Sequence, residues 1–164
     1  MLLAPVSLRN YGRPASTPIP PRMTYTIVAY LARKPSMTPA EFRNYYENTH
    51  MPLLISLTGS VFPKTHKRYY LPRTTKDPSS PDTTNANHAV TVYEGIAEDF
   101  DYDAYAELEF ESIEKFAAFG QRLAEVAAAE DGAFHADELA FLDLSKRRCV
   151  VVDGPVATVT PSEI

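Results

Sequence analysis

The segment DAYAELEF, residues 103–110, alternates polar and apolar side chains along its whole length. Its even positions are apolar, while its odd positions are Asp103, Tyr105, Glu107 and Glu109. A period of two residues is typical of a strand that buries one face of a sheet. We therefore expect a strand whose apolar face is covered by helices and whose polar face points away from them.

A helix is predicted directly after this strand. Ser112 can cap its first turn, because a serine oxygen accepts a hydrogen bond from a free amide at this position. Apolar residues then recur at helical spacing. The predicted buried stripe consists of Ile113, Phe116, Phe119, Leu123 and Val126.

The same order of strand and helix is predicted earlier in the chain. TYTIVAYLA, residues 24–32, is rich in β-branched and aromatic residues, which favours a strand. Thr38 and Glu41 then form a capping-box pattern that starts a helix. Because Pro52 has no amide hydrogen, we expect this helix to kink or break directly after His50.

Two further strands complete the predicted sheet. THKRYYL, residues 65–71, predicts a strand that carries His66, Arg68 and Tyr70 on one face. A short helical turn precedes the last strand, RCVVVDG, at residues 148–154. The resulting order predicts an α+β protein, a ferredoxin-like βαββαβ sandwich with both helices on one face of the sheet.

Prolines divide the chain into its expected parts. Five of the fourteen prolines lie in residues 1–21, a predicted flexible arm, and three lie in residues 72–81. The predicted domain covers residues 22–154, with an irregular insertion at residues 72–101 and a tail at residues 155–164. Because long loops in compact domains often act as lids, we expect the insertion to border the functional cavity.

The composition is that of one globular domain, with 45% hydrophobic and 23% charged residues in a chain of 164. The single cysteine, Cys149, cannot form an internal disulfide, and we expect it to be a small buried residue. No apolar run reaches the roughly 18 to 20 residues that span a bilayer. We therefore expect a soluble cytoplasmic protein without a membrane partner.

The net charge of −5 conceals an asymmetry along the chain. Residues 1–71 contain nine basic and two acidic side chains, a net charge of +7. Residues 72–164 contain seven basic and nineteen acidic side chains, a net charge of −12. We expect these two parts to attract each other, while the negative total and the scattered basic residues argue against a nucleic-acid partner.

The polar face of the predicted sheet indicates a homodimer. It carries tyrosine among carboxylates beside apolar central strands, so we expect it to be covered over part of its area. A second copy that packs sheet against sheet would enclose a barrel-like cavity lined by these polar positions.

Two histidines are the first candidates for proton transfer. His50 either acts as an acid or base or bonds a carbonyl at the helix end. We expect His66 to oppose the carboxylates of residues 103–109, which would raise its pKa and orient one ring nitrogen. The alternative for His66 is an ordinary cross-strand ion pair.

Carboxylates and tyrosines complete the predicted site. Asp103 either lies in the cavity, where it would act as a base or hold a histidine, or is an exposed acid in a turn, and Glu107 points to the same side. A tyrosine-rich cavity suits a planar aromatic ligand. The predicted substrate-binding residues are Tyr30, Tyr46, Arg68, Tyr70, Tyr105 and Glu107.

Several kinds of chemistry lack their motifs. The sequence has no glycine-rich phosphate loop, no G-x-S-x-G elbow and no H-E-x-x-H pair. No two histidines have a spacing that forces them onto one metal ion. We therefore expect a site that uses neither a metal nor another cofactor.

Four segments carry a family resemblance: LARKPSMTPAEFRNYYENTHMPLL, FPKTHKRYYL, FDYDAYAELEFESIEKFAAF and DELAFLD. In this order they resemble EthD-like proteins of the dimeric α+β barrel superfamily, including fungal EthD-domain proteins of polyketide pathways. The resemblance spans residues 24–152. It matches His50 to a family histidine followed two residues later by proline, and Asp103 to an aspartate that precedes the third strand.

The resemblance implies an enzyme of secondary metabolism. We expect a lyase or cyclase that works by dehydration, aldol cyclisation or decarboxylation of a polyketide-derived aromatic or β-keto intermediate. His50 or His66 would move the proton, and Tyr70 or Arg68 would bind the enolate oxygen that these reactions share. Two alternatives remain open: a cofactor-free monooxygenase acting on anthrones, and a non-catalytic dimeric binding protein for a hydrophobic metabolite.

Overall fold

The computed structural model describes residues 24–128 and 132–158. The predicted arm, residues 1–21, and residues 159–164 of the predicted tail lie outside the described residues. The strands are β1 (Tyr25–Leu31), β2 (Thr65–Tyr70), β3 (Arg73–Thr75), β4 (His88–Val90), β5 (Ala104–Phe110) and β6 (Arg148–Val152). The helices are α1 (Pro39–Tyr45), α2 (Met51–Thr58), α3 (Ile113–Ala127) and α4 (Ala133–Phe141).

The main sheet has four antiparallel strands in the order β2-β5-β1-β6. Together with the helical segments between β1 and β2 and between β5 and β6, this order confirms the predicted ferredoxin-like βαββαβ fold. In the described ranges, no helix combines the length and the apolar character that crossing a bilayer requires.

The two faces of this sheet differ as the alternation in β5 predicts. The even positions of β5, from Ala104 to Phe110, are at most 6% exposed and belong to the core shared with the helices. Aligned residues on antiparallel neighbours share a face. Ile27 and Leu108 are aligned on the face toward the helices, the inner face, and Val28 and Glu107 are aligned on the opposite, outer face.

The first helical segment begins as predicted but does not break at Pro52. Thr38 and Glu41 form the capping box. Instead of a break, a π-helical turn over Tyr46–His50 joins α1 to α2, and the amide of Met51 donates to the carbonyl of Tyr46. Of the two predicted outcomes directly after His50, a kink or a break, the break was wrong, because Pro52 stands in the first turn of α2, where a missing amide hydrogen is tolerated.

The predicted stripe of α3 is mostly correct. Ser112 caps the helix by accepting from the amide of Lys115, and Phe119 and Val126 are buried. Ile113 is 56% exposed, so its predicted burial was wrong. At about 100° per residue, the other four stripe positions lie within about 80° of arc, and Ile113 falls about 60° outside it.

The last strand, β6, lies at the edge of the sheet rather than in its centre. It pairs with β1 on one side and with no described strand on the other. Cys149 is exposed, as are Val150 and Val151. The expected burial of Cys149 was therefore wrong, because an apolar sequence does not distinguish a central strand from an edge strand.

The insertion, residues 72–101, is more regular than predicted. It contains the antiparallel pair β3 and β4. Arg33, the second residue after β1, holds it: Nη2 donates to the carbonyl of Thr83 at 2.7 Å, and Nη1 donates to Oδ1 of Asn85 at 2.9 Å. The insertion is therefore an ordered structure attached to the end of the main sheet.

Ion pairs join the basic and acidic parts of the chain as expected from their charges. Lys67 Nζ lies 2.6 Å from Glu107 Oε1, and Lys64 Nζ lies 3.6 Å from Glu109 Oε1, both between β5 and the segment at β2. Because these pairs are partly exposed, their role in stability is modest.

Candidate active site

A cavity of about 470 Å³ lies between the inner face of the sheet and the helices. Small side chains make room for it, since Ala29 on β1 is aligned with Ala106 on β5 and with Cys149 on β6. The surrounding wall is mostly apolar and includes Ile27, Leu54, Phe116, Phe119, Phe134 and Phe141. The cavity therefore suits a hydrophobic, flat ligand.

One wall of this cavity carries a histidine paired with an aspartate. His50 Nδ1 lies 2.6 Å from Asp137 Oδ2, and the hydroxyl of Tyr45 donates to Asp137 Oδ1 at 3.1 Å. His50 and Asp137 are both 7% exposed. The pairing occupies Nδ1 of His50 and leaves Nε2 as the nitrogen available for proton transfer.

The π-helical turn brings Tyr46 next to His50. Their rings meet edge to face at 5.4 Å between centroids, and both residues line the cavity. Burial raises the pKa of Tyr46, so its hydroxyl stays protonated at neutral pH. Single π-helical turns inside helices often occur at functional sites.

His66 also lines the cavity, but it does not face the carboxylates of β5. It is aligned with Leu108 on the inner face, whereas Glu107 points outward. The expected raised pKa was wrong: burial, together with Arg68 and His50, lowers the pKa of His66 to about 4. The error lay in the register, because a shift of one residue exchanges the two faces of a strand.

Arg68 and Tyr70, on the same face of β2 as His66, are bound to a residue that the sequence did not single out. Glu47 accepts from Arg68 Nε at 2.8 Å, from Arg68 Nη2 at 2.9 Å and from the hydroxyl of Tyr70 at 2.6 Å. Arg68 lowers the pKa of Glu47. Arg68 and Glu47 line a second, smaller cleft of about 270 Å³, which shares His66 with the cavity.

Asp103 is buried away from the cavity. Its Oδ1 lies 2.5 Å from Arg33 Nη1 and 2.7 Å from Arg73 Nε, and its Oδ2 accepts from the amide of Arg33 at 2.9 Å. Desolvation lowers the pKa of Arg73. Asp103 thus joins the insertion to the end of β1 and is not brought together with His50 or His66.

Three other predicted site residues lie on the outer face of the sheet. Tyr30 and Tyr105 are aligned there, with ring centroids 6.3 Å apart, and Tyr105 stacks on Tyr69 at 4.6 Å. Glu107 forms its ion pair with Lys67 on the same face. The structure therefore separates Tyr30, Tyr105 and Glu107 from the cavity by the thickness of the sheet.

The insertion does not border the cavity either, which corrects the expectation of a lid. None of the cavity-lining residues belongs to residues 72–101. Its residues Thr84 and Asn85 instead line a separate polar pocket at the end of β1, together with Arg33 and Asp103.

A family model describes most of this structure. The model of the EthD domain matches residues 34–145, which include His50, His66 and Asp137. The chain belongs to the EthD domain family. The sheet of this EthD domain extends beyond the match, because β1 precedes residue 34 and β6 follows residue 145.

Comparisons with solved structures and with proteins of curated function add no assignment of function. One similar solved structure is a dimeric ferredoxin-like protein of unknown function from Thermobifida fusca YX, at 14% identity and a TM-score of 0.43. The similarity covers 80% of the EthD domain chain and 92% of that protein. No protein of curated function matches the chain in sequence.

Sequence reasoning missed Asp137, although a signal for it exists. Asp137 lies three residues after Phe134 and four before Phe141, and both aromatic residues are buried on α4. An acidic residue on the apolar stripe of a helix needs a buried partner. No comparable sequence pattern marks Glu47, which is one of the two acidic residues in residues 1–71.

The polar groups that the EthD domain gathers at the cavity can move protons and bind oxygen. His50 has an orienting carboxylate, and Tyr46 and His66 carry further polar atoms beside it. Among the described residues, no group of three or more histidine, cysteine, aspartate or glutamate side chains could hold a metal ion.

Proposed function

We propose that this EthD domain is an acid/base enzyme that removes a proton from the carbon beside a carbonyl in a hydrophobic aromatic substrate. The proposal rests on one observation: the His50–Asp137 pair, with 2.6 Å between Nδ1 and Oδ2, lies in the wall of an apolar cavity. A histidine with an orienting carboxylate is a common general base.

The hydrogen bonds define the role of each group. An ionised carboxylate only accepts hydrogen bonds, so His50 donates from Nδ1 and keeps a lone pair on Nε2. When Nε2 takes a proton, the charge on Asp137 stabilises the imidazolium that forms. Tyr45 donates to the other oxygen of Asp137 and holds the carboxylate in place.

The cavity supports the choice of substrate class. Its walls are aromatic and aliphatic, and its polar groups His50, His66 and Tyr46 come from adjoining elements. A planar polyketide-derived aromatic or its β-keto precursor fits this division between apolar walls and a polar side. Dehydration, aldol cyclisation and decarboxylation of such compounds share an enol or enolate, which makes the enzyme a lyase or cyclase without a cofactor.

We also propose that the protein is a homodimer formed through the outer face. Tyr69, Tyr105 and Tyr30 form a row across three neighbouring strands of this face. Val28 and Val150 are aligned in the next row and add apolar area beside the tyrosines, while Glu107 and Lys67 occupy the rest of that row as an ion pair. A second copy packed on this face would cover it. The folded unit would then be residues 22–154, with the segments outside it as arm and tail.

The proposal is tested by deuterium exchange. The probe is 1-tetralone, an aryl ketone whose hydrogens beside the carbonyl exchange slowly in neutral D₂O and are followed by NMR. The wild-type protein should accelerate the exchange, and His50→Phe should abolish the acceleration. His135→Phe, which removes an exposed histidine of α4, is the matched control.

Two other results would favour the alternative functions. Oxygen uptake with anthrone would indicate the monooxygenase. Quenching of tyrosine fluorescence by 1-naphthol without exchange of 1-tetralone or oxygen uptake would indicate the binding protein. In either case the proposed lyase or cyclase would be wrong.

A further inference from the structure

Arg68 fixes which nitrogen of His66 carries its proton. Arg68 Nη1 lies 3.2 Å from His66 Nδ1 and donates to the carbonyl oxygen of the same residue at 2.8 Å. A guanidinium has donors only, so Nδ1 of His66 must accept. A neutral imidazole with an accepting Nδ1 carries its hydrogen on Nε2.

The surroundings of His66 keep the ring neutral. The charged and titratable groups around it are Arg68 on its own strand and Tyr46, Glu47 and His50 on the first helical segment. Glu47 is bound by two nitrogens of Arg68. Its charge raises the pKa of His66, but by less than burial, Arg68 and His50 each lower it. Burial, Arg68 and His50 together lower the pKa of His66, and the ring is therefore uncharged at neutral pH.

His66 lies between the smaller cleft and the cavity, because it lines both. Nδ1 of His66 is bound to Arg68, which lines the smaller cleft and not the cavity. Nε2 is therefore the nitrogen of His66 that is left for a molecule bound in the cavity. Phe62 stacks on the ring at 6.0 Å between centroids and helps to hold its plane.

We propose that His66 is a hydrogen-bond donor, which binds the oxygen of the substrate through Nε2–H, and that it is not the base. This inference rests on the proposed function, in which His50 is the base. His50 Nε2 takes the proton from carbon, the C–H electron pair forms the new C=C bond, and the carbonyl π pair moves to oxygen. The Nε2–H of His66 stabilises the negative oxygen, and return of the proton from His50 restores the ketone.

Nitrogen NMR tests the tautomer without any turnover. The ¹⁵N-labelled protein is studied between pH 5 and pH 8, with the His66 signals assigned by their loss in His66→Phe. We expect one proton on Nε2 and none on Nδ1 over this whole range. A hydrogen on Nδ1 at pH 7, or a titration near pH 6.5, would overturn the inference.

Binding of 1-naphthol tests the contact to oxygen. Its hydroxyl imitates the enol, and its affinity does not depend on catalysis. His66→Phe should weaken binding about tenfold through the lost hydrogen bond, and His66→Gln, which keeps an N–H donor, should restore most of it. Equal affinities of wild type and His66→Phe would overturn the inference.

The two proposals fail in different ways. If wild type does not exchange 1-tetralone, the proposed function is wrong, while the tautomer and the naphthol contact are still decided by NMR and binding. If exchange occurs but His66→Gln is as inactive as His66→Phe, or Nδ1 carries the proton, the donor role is wrong and the base at His50 stands. His135→Phe is the control for each measurement.

Discussion

Nδ1 of His50 lies 2.6 Å from Oδ2 of Asp137 although 87 positions separate the two residues in the chain. The pair joins the first helical segment to α4 across the core. Both residues are buried beside Phe141, whose ring lies 4.8 Å from that of His50. A local pattern can mark Asp137 as a buried acid, but it cannot identify His50 as its partner, because that contact depends on how two helical segments pack.

We expect replacement of Asp137 to impair proton transfer through His50. Asp137→Asn should lower the rate of 1-tetralone exchange by about 100-fold, the usual scale for an acid/base group, and His50→Phe should lower it at least as much. Asp137 is a positioning residue, so Asp137→Asn should also displace the pH dependence of the remaining rate. Tyr45→Phe should lower the exchange rate by less than Asp137→Asn. Exchange at the wild-type rate in folded Asp137→Asn would contradict the assignment.

His66 should make stability depend on pH. Its pKa is about 4 in the folded protein, below the ordinary value of 6.5. At a pH between these two values, His66 binds a proton in the unfolded chain but not in the folded chain. This contribution is therefore fully favourable above pH 6.5 and is lost as pH falls toward 4. Urea unfolding at pH 7 and pH 5 should show that the free energy of unfolding falls more between these pH values in wild type than in His66→Phe. Equal losses would contradict the low pKa, and His135→Phe should behave like wild type.

Asp103 should matter for stability and not for proton transfer. In Asp103→Asn, the buried Arg33 and Arg73 lose their carboxylate, which should cost about 3–5 kcal/mol of unfolding free energy. Asp101→Asn is the matched control, because Asp101 pairs with Arg148 at the surface and should cost less than about 1 kcal/mol. Under conditions where Asp103→Asn is folded, 1-tetralone exchange should continue. A stable but inactive variant would make Asp103 a catalytic candidate again.

Filling the cavity should exclude ligands without unfolding the protein. Ala29→Leu adds three carbon atoms at the middle of the inner face, where Ala29 lines the cavity. We expect the affinity for 1-naphthol to fall at least tenfold while circular dichroism stays unchanged. Ala117→Leu makes the same change at an exposed position of α3 and should bind 1-naphthol with the affinity of wild type. Unaltered binding by Ala29→Leu would place the ligand elsewhere.

The proposed dimer predicts a mass of about twice 18.3 kDa in light scattering at micromolar concentration. Val28→Glu places a second carboxylate beside Glu107 on the outer face and should produce a folded monomer. Leu139→Glu changes a residue that is 46% exposed on α4 and should stay dimeric. A monomeric wild type, or a dimeric Val28→Glu, would contradict pairing through this face.

The sequence predicts the fold better than the site, for a physical reason. Alternation in β5, the Thr38 capping box and the Ser112 cap are local features, and all three are present in the structure. The face occupied by His66 depends instead on the register with β5, which alternation within one strand does not determine. The prediction therefore placed His66 beside carboxylates, although Leu108 is its aligned neighbour.

Buried charge was the other source of error. Asp103 was predicted as a base or an exposed turn acid, whereas it is buried between two arginines from distant positions. Arg33 and Arg73 gave no sequence signal, because their burial depends on the packing of the insertion. Tyr46 and His50, in contrast, were predicted as site residues, and the structure buries both in the π-helical turn beside the cavity.

The exposed edge strand β6 gives the protein a natural attachment point for a reporter dye. Cys149 is the only cysteine in the sequence, and it lines the cavity in which ligands are expected. Partial burial raises the pKa of its thiol, so a maleimide fluorophore would couple slowly at neutral pH and faster in mild alkali. One label, introduced without any mutation, would then report occupancy of the cavity directly.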